Sequence, residues 1–253
     1  MKLVNVPNHE FMESPSSWLT RVALRQAVSP KELARHFGVK VGVDGEMAFA
    51  KRTLRKLAAE FTDATGSFEE VDLLMGRLLK LDPYGERYLL RYRSVAFHRY
   101  CAACLATDRV KYFRLEWRFK CWRWCPLHEC LLRERCPHCD HMVQLPRDML
   151  EAGNDGWGIA TLDHCLQCGE FLTKGWQDDV SNLSEDWITA WEQVLLSNGR
   201  ATLATLARGK LQIRGDNKER GFMHLKNIER LGYLPHVNFR LTHPELLRRQ
   251  KGD

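Results

Sequence analysis

All nine cysteines of this 253-residue chain fall between Cys101 and Cys168, and eight of the positions around them form spaced pairs. Cys101-Ala-Ala-Cys104 is followed, after twenty residues, by Cys125-Pro-Leu-His128; Cys136-Pro-His-Cys139 is followed, after twenty-five, by Cys165-Leu-Gln-Cys168. A Cys-x-x-Cys or Cys-x-x-His pair supplies two ligands from one tight knuckle, and two knuckles complete the tetrahedral shell that zinc prefers. The expectation is two zinc ions, each with four protein ligands. Only seven residues separate His128 from Cys136. That favours sequential pairing, first knuckle with second and third with fourth, although an interleaved pairing also satisfies the geometry. Cys121 and Cys130 are left as spare thiols, and His138, His141 and His164 as neighbours of the metals. Closed shells of four ligands leave no open position for substrate or water, so the metals are expected to be structural.

The opening stretch, MKLVNVPNHEFMESPSSW, lacks a charged region followed by an apolar run, and no run of eighteen apolar residues follows anywhere. The expectation is a cytoplasmic protein with no membrane span, in a reducing compartment where clustered cysteines bind metal rather than pair as disulfides. Net charge is +6 and the isoelectric point about 8.9, compatible with a nucleic-acid partner. No phosphate-binding glycine loop, nucleophile elbow or metallo-deaminase signature occurs, and the acidic residues are scattered, so no catalytic residues are expected.

Three segments are expected: a helical, helix-turn-helix-like domain over 1–98, a tandem zinc-binding module over 99–176, and a basic helical segment over 177–253. The fold class is mainly α with small zinc-ribbon β elements. In the first segment, Ser16 or Ser17 reads as the cap of a helix through SWLTRVALRQA, and Ser29-Pro30 starts a second that stops at Gly38. EMAFAKRTLRKLAAEF reads as a third helix, with Lys51, Arg52, Arg55 and Lys56 on its outer side, and Ser67 opens a fourth. Helix, break, helix, break, basic helix resembles a helix-turn-helix; a bundle with solvated lysines is the plainer alternative. In the middle segment, Arg109 to Arg123 alternates as a strand would, with Phe113, Leu115, Trp117 and Phe119 inward and Arg114, Glu116, Arg118 and Lys120 outward. In the last segment, Ser184 caps a helix that stops at Asn198-Gly199, and ATLATLARGKLQI, GFMHLKNIERLGY and HPELLRRQ are weaker helices. Nucleic-acid contact candidates are Lys51, Arg52, Arg55, Lys56, Arg114, Arg118, Arg214 and Lys226.

Taken together, these residues resemble the TniQ/TnsD family of transposon target-selection proteins. Glu13-Ser14-Pro15-Ser16-Ser17-Trp18-Leu19-Thr20-Arg21 resembles the family's opening motif. Arg99-Tyr100-Cys101-Ala102-Ala103-Cys104-Leu105, the Tyr112–Arg118 stretch, Cys125-Pro126-Leu127-His128 and Cys136-Pro137-His138-Cys139 resemble its central one. The resemblance covers roughly residues 1–170, with Ala102-Ala103 departing from the commoner proline. It implies a non-catalytic adaptor whose partner is an AAA+ ATPase of TniC or TnsC type, with Ser17, Trp18 and Arg21 as ATPase-docking candidates. Target recognition, on the same resemblance, goes through DNA or through an RNA-guided Cas effector complex. The rival expectation is a stand-alone zinc-containing transcription regulator. Oligomeric state is open, a dimer included.

Overall fold

The computed structural model describes residues 2–40, 44–66, 68–145, 161–181, 190–213 and 216–230. It is mainly helical, with three small antiparallel strand pairs and two cysteine/histidine clusters among the described residues. No helix among them is long and apolar enough to cross a membrane.

Helix α1 (Pro15–Gln26) is capped by Ser14, whose hydroxyl accepts the Ser17 N–H at 3.1 Å, with Pro15 at the first helical position. The cap is thus two or three residues earlier than Ser16 or Ser17, and both of those serines are buried inside the first turn. Helix α2 (Pro30–His36) has the expected cap at Ser29, completed by Glu32 into a reciprocal capping box, and Gly38 follows it at φ +60°.

The basic stretch beyond forms two helices, α3 (Gly45–Ala50) and α4 (Leu54–Phe61), where the sequence suggested one. Thr53, at φ 59°, breaks them apart. The break is held from outside: the Asp72 carboxylate accepts the Leu54 and Arg55 N–H groups at 2.7 and 2.9 Å and so caps α4. Asp72 belongs to helix α5 (Phe68–Leu81), which carries Glu69 and Glu70 in its first turn as expected; Ser67 lies outside the described residues.

Strands β1 (Arg91–Tyr92) and β2 (Val95–Ala96) form an unforeseen hairpin, turned through Arg93 and Ser94 at φ 48° and 67°. Helix α6 (Ala102–Thr107) starts on the first knuckle, and strands β3 (Trp124–Cys125) and β4 (Cys130–Leu131) pair around the second. Between them, residues 115–118 make a 3-10 turn instead of a strand. Phe113, Leu115, Trp117 and Phe119 are buried as expected, but Arg114, Glu116 and Arg118 are buried too.

Helix α7 (Trp176–Ser181) packs on α6 and β4, and helix α8 (Ala190–Arg208) packs on α5. Ser184 lies outside the described residues. Asn198-Gly199 does not end α8; the helix runs through it for nine more residues. A Cβ on Gly199 would lie 2.0 Å from the Cys121 carbonyl oxygen, so glycine here permits a close helix-to-backbone approach. Arg77 of α5 caps the far end of α8 by donating to the carbonyls of Leu206, at 2.6 Å, and Ala207. Strands β5 (Lys210–Gln212) and β6 (Glu219–Gly221) follow, then a 3-10 turn and helix α9 (Leu225–Arg230); the expected helix over ATLATLARGKLQI therefore ends as a strand. HPELLRRQ lies outside the described residues. One contiguous hydrophobic core runs from Val6 through Trp18, Leu78 and Trp117 to Ile228, drawing on all three sequence segments.

Candidate metal centres and their surroundings

The first cluster joins Cys101, Cys104, Cys125 and His128, whose ligand atoms all lie within 4.8 Å of one another. Cys101 is the cap of α6, its sulfur accepting the Cys104 N–H at 3.4 Å. Cys125 ends β3, and His128 sits in the turn to β4, closed by Glu129 at φ 51°. Cys104 and Cys125 sulfurs are 3.6 Å apart, and the His128 Nδ1 lies 3.6, 3.3 and 3.7 Å from the sulfurs of Cys101, Cys104 and Cys125. Thiolates about 2.3 Å from a tetrahedral metal stand about 3.8 Å apart, and a nitrogen ligand somewhat closer. The separations therefore fit a four-coordinate ion. On the far side of the ring, the Thr107 hydroxyl lies 3.5 Å from His128 Nε2 and helps set the orientation in which Nδ1 faces the sulfurs. The thiols are unequal. Hydrogen bonds from Cys104 and its neighbours pull Cys101 down, whereas the Cys101 thiolate pushes Cys104 up and Cys125 up to about 12. Sulfurs this crowded cannot all carry charge by themselves; a divalent cation is what lets three thiolates share one site.

Cys136, Cys139, Cys165 and Cys168 form the second cluster, again within 4.8 Å. Sulfur separations are 3.8 Å for Cys136–Cys168 and 3.7 Å for Cys139–Cys165, both matching a tetrahedral edge. Its two knuckles are built alike. Cys136 accepts the His138 N–H and Cys165 the Gln167 N–H, each at 3.4 Å, and a left-handed residue, Asp140 or Gly169, follows the second cysteine. The knuckles thus pair sequentially, and both groups offer four sulfur or nitrogen ligands with the spacing a metal ion requires.

Neither spare cysteine joins a cluster. Cys130 is buried beside the first, its sulfur 3.7 Å from that of Cys101; Cys121 is half-buried against the Gly199 carbonyl. His164 lies 3.0 Å from Asp163, and its ring sits 4.1 Å from that of Phe171 at a tilt of 40°.

The N-terminal motif is largely internal. Ser17 donates to Glu13 at 2.8 Å and accepts the Phe113 N–H at 2.9 Å; the Trp18 indole donates to the Pro7 carbonyl at 3.0 Å. Both side chains are fully buried, so of the three docking candidates only Arg21 reaches the surface. Its guanidinium binds Glu13 at 2.6 Å. Burial pushes the Glu13 carboxyl up to about 7, against the pull of Arg21 and Ser17. The motif is a clamp that ties the N-terminal arm and α1 to the central segment.

Nucleic-acid candidates separate into two groups. Arg118 is fully buried: it donates to Glu46 at 3.0 Å, Asp44 at 2.8 Å and the Leu90 carbonyl at 2.7 Å, and also binds the Phe97 carbonyl. Arg114, 2% exposed, binds Asp108 at 2.8 Å. Neither guanidinium faces outward, because each serves as an internal counter-charge. Arg118 and His98 hold Glu46 well below the usual carboxylate range despite burial, while burial pushes Asp44 up and His98 down. Lys51, Arg52, Arg55 and Lys56 are exposed on α3–α4, joined by a three-residue break; Lys226 is half-buried, and Arg214 lies outside the described residues. The Asp44–Glu46–His98–Arg118 network carried no local signal in the sequence, since its members lie up to 74 residues apart.

Comparison with known families matches the TniQ family model to residues 7–132, about half of the chain. The chain belongs to the TniQ family. TniQ proteins are associated with transposition and the selection of its target sites. The matched region takes in the N-terminal clamp, helices α1–α6 and the whole first metal cluster; the second cluster lies beyond it. Comparison with curated proteins finds no match.

Proposed function

We propose that this TniQ chain is a non-catalytic adaptor in transposon target-site selection, joining a target-recognition element to an AAA+ ATPase of TniC or TnsC type. The observation that carries the reading is the family match over the N-terminal clamp and first metal cluster. In this reading both clusters hold structural zinc. Support comes from the thiolate-rich donor sets and tetrahedral spacing, with four protein ligands at each site. The exposed Lys51, Arg52, Arg55 and Lys56 give a cationic face for a phosphate backbone, so contact with DNA is salt-sensitive and indifferent to sequence.

The test is co-sedimentation of the zinc-loaded protein with an AAA+ ATPase of TniC or TnsC type, on duplex DNA with nucleotide. Retention in the pellet only when ATPase is present is the expected result. Failure to associate across nucleotide states and salt concentrations would overturn the adaptor reading. Tight, sequence-selective binding of short duplexes by this protein alone would instead identify a stand-alone regulator.

A further inference from the structure

Where the N-terminal arm meets the end of α1, the stretch after α6 and residues 161–162, the surface opens into a cleft. Four cations line it: Arg21, Arg25, Arg109 and Lys111, and no carboxylate side chain belongs to its described lining. Two of the four are fixed in place. Arg21 is held by Glu13, and Lys111 donates to the carbonyls of Ala106 and Asp108 at 3.0 and 2.8 Å. Arg25 and Arg109 are exposed and free to swing over an occupant. Between the cations lies an aliphatic floor that includes Leu24, Val110 and Leu162.

The lining discriminates among anions. A single-stranded nucleic acid would want aromatic platforms for its bases, and none of the described lining residues is aromatic. A duplex presents a broad convex cylinder whose phosphates seek open cationic surface, not an aliphatic floor. Carboxylates alternating with aliphatic side chains suit both parts of the cleft, the first meeting the arginines and the second the floor.

We propose that this cleft is a docking site for an acidic, aliphatic peptide segment of a partner protein, clamped by Arg25 and Arg109. The inference rests on the adaptor reading for the partner's identity, the ATPase, but not for the peptide chemistry. It also moves the docking surface from Ser17 and Trp18, which are internal, to the outer rim around Arg21.

The probe is a short fluorescein-labelled peptide of repeating Asp-Leu-Glu, followed by fluorescence polarisation at low salt. Wild type is expected to bind it, to ignore a Lys-Leu-Lys counterpart, and to bind an Asp-Ser-Glu version of equal charge more weakly. The R25E/R109E double variant is expected to lose about tenfold or more in affinity, with R25Q/R109Q between. Both residues are exposed, so an unchanged melting temperature verifies the fold. No peptide binding by wild type overturns the proposal, as does equal binding by R25E/R109E, or loss of duplex binding without loss of peptide binding. Co-sedimentation separates the two readings. If wild type and R25E/R109E both pellet with the ATPase, the adaptor stands and the cleft is overturned as the place where the ATPase docks. If the peptide binds through the two arginines but wild type does not pellet, the cleft stands and the adaptor falls.

Discussion

The two metal clusters use the same knuckles and nearly the same sulfur separations, yet they sit in different surroundings. Three ligands of the first, Cys101, Cys104 and Cys125, and two of the second, Cys136 and Cys165, belong to one hydrophobic core, but Cys101 of the first also begins a helix. The second buries Cys136 and Cys165 but leaves Cys139 exposed and Cys168 half-buried. It is tethered by Tyr100, whose hydroxyl donates to the Arg135 carbonyl at 2.8 Å, and by Arg133, which binds Lys174, Gly175 and Asp179. Similar donor sets, three cysteines with a histidine and four cysteines, therefore have different reach: an ion at the first is expected to organise the core shared with the TniQ family, one at the second to staple a neighbouring stretch.

The sharpest test of that contrast is one ligand from each site. Cys104→Ser should unfold the protein or render it insoluble, since structural zinc supplies on the order of 10 kcal/mol to such modules. Cys168→Ser should lose one metal per chain while keeping the near-ultraviolet circular dichroism of the core. Metal analysis and spectra of the two variants would collapse the distinction if they came out alike.

Next in size is Arg118→Ala. It leaves Asp44 and Glu46 buried without their main partner and should cost about 3–5 kcal/mol in chemical denaturation; a change under about 1 kcal/mol would mean that the core beside the first cluster is wetter than described.

Glu13 gives a pH signature. Its carboxyl is shifted from 4.5 to about 7 in the folded chain. A raised acid holds its proton in the fold after the unfolded chain has lost it, so ionisation costs stability as pH rises from 4.5 to 7. Relative to Glu13→Gln, wild type should lose up to about 3 kcal/mol across that interval and change little above it. Calorimetry of both proteins reads the difference, and a flat difference would refute the assignment.

The smallest effect is expected from Arg133→Ala: about 1 kcal/mol or less globally, with faster hydrogen exchange confined to residues 161–181. Acceleration spreading into α1 or α5 would erase the boundary between the two regions.

Both metal shells were readable in the sequence because a knuckle is local chemistry: two ligands and a turn within a few residues. Ser29-Pro30-Lys31-Glu32 was readable for the same reason. What escaped was decided at a distance. The break at Thr53 depends on Asp72, a carboxylate from the next helix. The alternation over 113–119 located the apolar side chains correctly but not Arg118, whose partners Asp44 and Glu46 had no reason to look like partners. Asn198-Gly199 has the composition of a helix stop, and only the backbone of Cys121 explains why it is not one. Ser17 and Trp18, expected as docking residues, are internal, a distinction that spacing alone does not draw.

Gly199 makes α8 a keyed part. Only one rotational setting of the helix presents a bare Cα to the Cys121 carbonyl. Inserting a single residue between 190 and 198 would turn the far half by about 100° and drive a side chain into that carbonyl, while inserting about seven, close to two full turns, would restore the glycine's face but move it about 10 Å along the axis. Length variation in this helix should therefore be confined to residues beyond the contact.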